Sequence, residues 1–232
     1  NNPWNYKFTW NPRNVVLAGQ GVAQYIRGGK YKYLPYTKLF ERTDIMQILD
    51  AGEFEGYANR DSLAYREAYG IDRIPTLYRG TLRRKGYAKA WNIFVQLGIT
   101  DDSFKLENSD TISNRSFVNM FLPFDDKLSV EEKICKQFNL DLHSSTFEKI
   151  KWLGIFEDTV LGIKDASPAQ LLQAILENKW KLDSEDRDMI VMQHQFEFML
   201  DGEARKIDSS LVVFGENNRY TAMAKTVGLP VA

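Results

Sequence analysis

A single cysteine, Cys135, excludes any intrachain disulfide and fits a reducing, cytoplasmic setting. Only two histidines occur, His143 and His194, and His143 sits in a polar connector, so no metal-ligating constellation is expected. Excess charge of one sign is missing as well. The 30 Lys and Arg residues against 31 Asp and Glu give a net charge of −1, and a general nucleic-acid binder would need a basic surplus to release phosphate counterions. Long apolar runs are absent, as is a signal-peptide pattern at the start, so no membrane partner is expected. The chain also starts at Asn1 without a methionine and stops at Pro230-Val231-Ala232 soon after a helical pattern begins, leading us to expect a natural polypeptide that continues past both ends.

What is present is an ordinary globular composition, 44% hydrophobic over 232 residues, enough for one large core with subsidiary helices. The most informative stretch is Thr76 to Lys85. Its period-two alternation predicts a strand, Gly80 allows a close backbone approach, and Arg79, Arg83, Arg84 and Lys85 place four cations within seven residues. A guanidinium fork matches a carboxylate two oxygens at a time, so arginines at a strand end suit a substrate bearing several carboxylates. The plain alternative is a solvated basic turn. A second arginine, Arg60, follows the extended run Glu53 to Tyr57 in Ala58-Asn59-Arg60-Asp61-Ser62, where Asp61 or Ser62 can cap a short helix. Arg60 is read either as a ligand group at a cleft or as half of an ion pair with Asp61 or Glu67.

Along the rest of the chain, Asn11-Pro12 marks a helix start, and Val15, Ala18, Val22 and Ile26 predict that it runs to Gly28-Gly29. Gly19-Gln20-Gly21 imitates a dinucleotide-binding turn, but Gln24 stands where the third glycine belongs. Tyr31 to Leu34 reads as a strand, Phe40 to Leu49 as mixed helical, Ser62 to Tyr69 as a helix, and Gly86 opens an amphipathic helix that ends at Gly98. Thr100 to Ser113 is a polar loop. Three capped helices follow, with Ser129, Ser145 and Ser167 as their caps and with the thiol of Cys135 inside the first. From Ile190 apolar residues alternate to Leu200, and Asp201-Gly202 folds the strand back, pairing Leu200 with Glu203 and Ile190 with Val213. One face of that hairpin is expected to be core, with His194 satisfied by Ser209 or a backbone group. Tyr220 to Lys225 is a small-residue helix.

Several strings in this chain together resemble the glutamate-forming saccharopine dehydrogenase (saccharopine reductase) family. They are Asn2-Pro3 with Tyr6-Lys7-Phe8 and Trp10-Asn11-Pro12-Arg13, Asn59-Arg60-Asp61-Ser62, Arg79-Gly80-Thr81-Leu82-Arg83, Lys151 to Phe156, Arg187 to His194, and Tyr220 to Lys225. The resemblance runs end to end. It implies an α+β fold: a mixed, largely antiparallel sheet with helices packed on it and a helical subregion at about 114–180. On this reading 1–232 is the family's C-terminal-type, substrate-binding domain. It further implies that Arg60, Thr81, Leu82 and Arg83 bind saccharopine or a similar multi-carboxylate substrate and that Asn11 lies near the nicotinamide cofactor. The Rossmann domain that carries the Gly-rich turn and the acid-base residues in this family is missing from the chain, so NADP or NAD would be bound mainly elsewhere in the polypeptide. No catalytic residue is expected here, and the fragment alone should be inactive. A homodimer is compatible with the family. Rival expectations are a carboxynorspermidine-type dehydrogenase and a non-catalytic interaction domain on the same scaffold.

Overall fold

The computed structural model describes residues 2–231. The N-terminal tail is not loose: Trp4 is buried against later helices, with its indole N–H donating to the Lys149 carbonyl at 2.7 Å, and the Phe8 amide donates to the Trp180 carbonyl at 2.7 Å. Helix α1 (Pro12–Val16) starts as expected, the Asn11 side chain accepting from the Arg13 amide. It stops after five residues, and the predicted long helix is corrected to a helix followed by strand β1 (Val22–Arg27). The reason lies in Gly19 and Gly21, at φ +88° and +94°, which take the chain out of helical geometry before Val22 to Ile26 can continue it.

Strand β1 forms a hairpin with β2 (Lys30–Pro35), after which comes the single-turn helix α2 (Tyr36–Leu39). The segment expected to be mixed helical instead contains β3 (Asp44–Gln47), which pairs with β4 (Glu53–Ala58) in an antiparallel ladder. Helix α3 (Tyr65–Tyr69) leads to β5 (Gly80–Arg84), the outer strand of the three-stranded order β3-β4-β5. Single bridges tie this sheet to the first hairpin, Ile26 with Leu77 antiparallel and Gln24 with Asp61 parallel. Every ladder is antiparallel, and that one bridge supplies the mixed character.

The core is helical and aromatic. Helix α4 (Tyr87–Leu97) buries Tyr87, Trp91 and Phe94, and after the polar loop come α5 (Asn114–Asn119), α6 (Val130–Phe138), α7 (Ser145–Trp152) and α8 (Pro168–Trp180). Helix α5 is an addition to the sequence reading, capped by Ser113, and the cap of α7 is Ser144, one residue earlier than expected. Ser129 and Ser167 form reciprocal capping boxes with Glu132 and Gln170. Trp180 at the end of α8 is wholly buried and lies 5.2 Å from Trp4 and 4.9 Å from Tyr6, centroid to centroid, with near-perpendicular rings. This cluster fixes the tail that carries Tyr6 and Trp10 into the site.

Beyond α8 the chain extends into a hairpin of two 12-residue strands, β6 (Met189–Leu200) and β7 (Glu203–Phe214), closed by Asp201-Gly202. Its register is the expected one, Leu200 with Glu203, His194 with Ser209 and Ile190 with Val213. The expected burial is corrected: Phe196, Phe198, Leu200 and Ile207 are exposed, and so is His194, whose ring stacks on Phe196. Alternation fixed which side chains share a face, but among the described residues no layer covers the outer half of that face. The final helix α9 (Ala222–Gly228) is capped by Thr221, with both oxygens of Asp188 accepting from the Ala222 and Met223 amides.

Candidate functional site

The site is built from the outward edge of β5. Residues opposite each other on paired strands share a face, and the register sets Tyr57 against Thr81 and Glu55 against Arg83. Glu55 would therefore be the natural counterion of Arg83. It is occupied elsewhere, because its buried carboxylate accepts from the Gly86 amide at 2.7 Å and the Ala88 amide at 3.1 Å, anchoring the start of α4.

Arg83 consequently has no acidic partner among the described residues. Its guanidinium lies 5.0 Å from the Tyr6 ring centroid and 5.5 Å from that of Tyr87, Nη1 donates to the Leu82 carbonyl at 3.0 Å, and Nε is enclosed without a hydrogen-bond partner. Burial works against its charge, but the phenols of Tyr57, Tyr87 and Tyr6 more than offset this and hold its pKa above the ordinary arginine value. Burial also raises all three phenols, against the opposing pull of Arg83. At neutral pH the result is a fixed cation in a wall of neutral aromatic rings, which favours an incoming anion.

Arg60 reaches the site from the end of β4. Its backbone sits at φ +50°, a left-handed conformation that costs a non-glycine residue roughly 1–3 kcal/mol. Three hydrogen bonds hold it there: the Gln24 amide donates to the Arg60 carbonyl at 2.9 Å, the Ser62 amide to the Gln24 carbonyl at 2.8 Å, and the Asn59 amide to the Arg79 carbonyl at 2.9 Å. The ion-pair alternatives fall away, since Asp61 turns back to accept from the Leu63 and Ala64 amides and Arg60 pairs with neither Asp61 nor Glu67 among the described residues.

Two cavities meet at Arg83. One of about 400 Å³ brings Arg60, Thr81 and Arg83 together with Tyr57, Arg79 and Trp10. The other, of about 780 Å³, takes in Leu82, Arg83 and Arg84 and runs along the tail to the hairpin base and α9. All four anticipated substrate residues therefore line adjoining space of a size that holds small ligands. Asn11 does not line either cavity. Its side-chain oxygen caps α1, and Asn14, one helical turn on, faces both spaces instead. Tyr6, Tyr57, Trp10 and Asn14 are additions that sequence reasoning missed. The alternation of β4 hinted at Tyr57, whereas Tyr6 and Trp10 lie in a tail with no periodic pattern to place them.

Comparison with known proteins follows the same outline. The profile described as "Saccharopine dehydrogenase C-terminal domain" matches residues 1–232. The chain belongs to this family. Curated relatives include saccharopine dehydrogenase [NADP(+), L-glutamate-forming] of Saccharomyces cerevisiae, 30% identical over 238 residues with 100% of this chain and 53% of the relative covered. Mitochondrial alpha-aminoadipic semialdehyde synthase of Bos taurus is 34% identical over 239 residues, again with 100% of this chain but 26% of the relative covered. The solved apo saccharopine dehydrogenase (L-Glu forming) of S. cerevisiae superposes with a TM-score of 0.83 at 28% identity, covering 100% of this chain and 53% of that one. The chain thus spans about half the length of the saccharopine dehydrogenases it matches and about a quarter of the synthases, and its antiparallel ladders and helices are those of the C-terminal domain.

Proposed function

We propose that this chain is the substrate-binding domain of an NAD(P)-dependent oxidoreductase of lysine metabolism, one that interconverts saccharopine with glutamate and aminoadipate semialdehyde. The observation that carries this reading is Arg83, an enclosed guanidinium whose cross-strand carboxylate is tied up by a helix and which opens onto the cavity shared with Arg60. A cation without a protein counterion favours an anionic ligand, and two guanidinium forks from separate strands orient a ligand that carries several carboxylates. Thr81 and Leu82 support the same reading. They lie on an edge strand whose outer side offers main-chain N–H and C=O groups to an extended ligand.

The dinucleotide-like turn of this chain does not fit a dinucleotide. Gly19-Gln20-Gly21 leads into a strand rather than a helix of useful length, so no set of helix N-terminal amides faces a diphosphate there. The nicotinamide group supplies the hydride, and we place its carrier in the part of the polypeptide that corresponds to the other half of the relatives. This chain's contribution is to bind and orient the substrate and to keep water from it with Tyr6, Tyr57 and Tyr87. A carboxynorspermidine-type substrate, with an amine end, calls for acidic side chains; none lines the smaller cavity, and Asp186 and Asp188 in the larger one are engaged by Lys7 and by the first amides of α9.

The test is steady-state kinetics of the polypeptide that carries this chain with its amino-terminal half. Each charge-assisted hydrogen bond is worth about 1.5–3 kcal/mol, so Arg60→Ala and Arg83→Ala should each raise the KM for saccharopine at least about tenfold. Unchanged KM in both variants would overturn the assignment.

A further inference from the structure

The smaller cavity contains three arginines, Arg60, Arg79 and Arg83, and the reading above uses two of them. We infer that Arg79 is a third carboxylate-binding group, so that the cleft selects a tricarboxylate over a dicarboxylate. This inference rests on the substrate reading above and adds the contact that decides its specificity.

Position comes first. Arg79 directly precedes β5 and continues its alternation, so it shares a face with Thr81 and Arg83. At about 3.3 Å per residue its Cα lies about 13 Å from that of Arg83, with Thr81 between them. Its main chain cannot drift, because the carbonyl accepts from the Asn59 amide at 2.9 Å and the amide donates to the buried Ser62 hydroxyl at 3.0 Å. The same turn carries Arg60, so the two arginines are fixed to one another through main-chain hydrogen bonds.

Chemistry comes second. The Arg79 guanidinium donates through Nη1 to the Tyr65 phenol at 2.6 Å, and its carbon lies 5.1 Å from that ring's centroid. The partner is neutral, and Arg79 makes no ion pair among the described residues. A phenol oxygen occupies one of five guanidinium N–H groups, leaving a free fork for a carboxylate. Tyr65 thus restrains the exposed side chain without cancelling its charge. Three cations lining a cavity that has no acidic side chain match three carboxylates, whereas two would leave one ligand charge facing only neutral groups.

The experiment uses the same full polypeptide with saccharopine and its three monoamides, each having one carboxylate converted to a carboxamide. Arg79→Ala should raise the KM for saccharopine at least about tenfold, leave kcat within about twofold, and bring no penalty on one of the three monoamides. Arg79→Lys, which keeps the charge but loses the fork, should fall between Arg79→Ala and the unchanged protein. A KM for saccharopine that stays within about twofold in Arg79→Ala, or an equal penalty on all three monoamides, would overturn the inference. If Arg60→Ala and Arg83→Ala raise KM while Arg79→Ala does not, only the third contact fails. If none of the three variants raises it, the substrate reading itself fails.

Discussion

The helices from Asn114 to Trp180 and the hairpin from Met189 to Phe214 carry equally regular apolar patterns, yet only the helices bury theirs. Leu171, Leu172, Ile175 and Leu176 of α8 are all enclosed, whereas Phe196, Phe198 and Leu200 of β6 stand in solvent. The difference is one of partners. Helices α6, α7 and α8 and the N-terminal tail supply apolar surface to one another, while the hairpin meets α9 only at its base and, among the described residues, has no second layer behind its outer half. Periodicity therefore specifies which side chains travel together, and burial is decided by what else is available to cover them.

That contrast can be broken most severely at Trp180. Replacing it with alanine removes a wholly buried indole that touches Trp4, Tyr6, Phe8 and Trp91, and should cost about 3–5 kcal/mol in urea denaturation followed by circular dichroism. A loss below about 1 kcal/mol would mean that the tail does not seal this core. Next in size is Ser167→Ala, expected to cost about 1 kcal/mol through loss of the α8 cap. The same hydroxyl donates to Asp102 and is the first cause of that carboxyl's lowered pKa, with Arg13 adding to the effect against opposing burial. A lowered folded-state pKa gives stability that is present above the unfolded value and lost as pH falls through the folded one. Stability should thus fall below about pH 4 less steeply in Ser167→Ala than in the unchanged chain, and parallel acid curves would refute the link. The smallest effect belongs to the hairpin. Phe196→Ser should change stability by no more than about 0.5 kcal/mol, and a loss matching that at Trp180 would show that the exposed face is covered in solution.

Much of this was legible in the residues themselves. Local chemistry placed α4 between Gly86 and Gly98, gave the capping boxes at Ser129 and Ser167, and fixed the hairpin register through Asp201-Gly202. Arg60 and Arg83 stood out because a guanidinium fork at a strand end suits a carboxylate, and the structure brings them to one cavity. The failures share a cause. The helix drawn through Val22 and Ile26 ignored two glycines that reset the backbone, and the segment at Phe40 to Leu49 became a strand because β4 offered it a ladder. Nor could local pattern show that Tyr6 would meet Tyr87 at 5.6 Å, since 81 positions of chain separate them and the tail binds to helices formed later. Pattern reading stops where assembly between distant segments begins.

Glu55 gives the architecture a vulnerability of its own. Its carboxylate is kept from Arg83 only because two amides at the start of α4 hold it. Were that first turn to fray, the acid would be free to swing across the strand pair and neutralise the guanidinium from within, acting as a built-in competitor for the ligand's place. The openness of the cleft thus depends on the first turn of the same helix that sets Tyr87 beside Arg83.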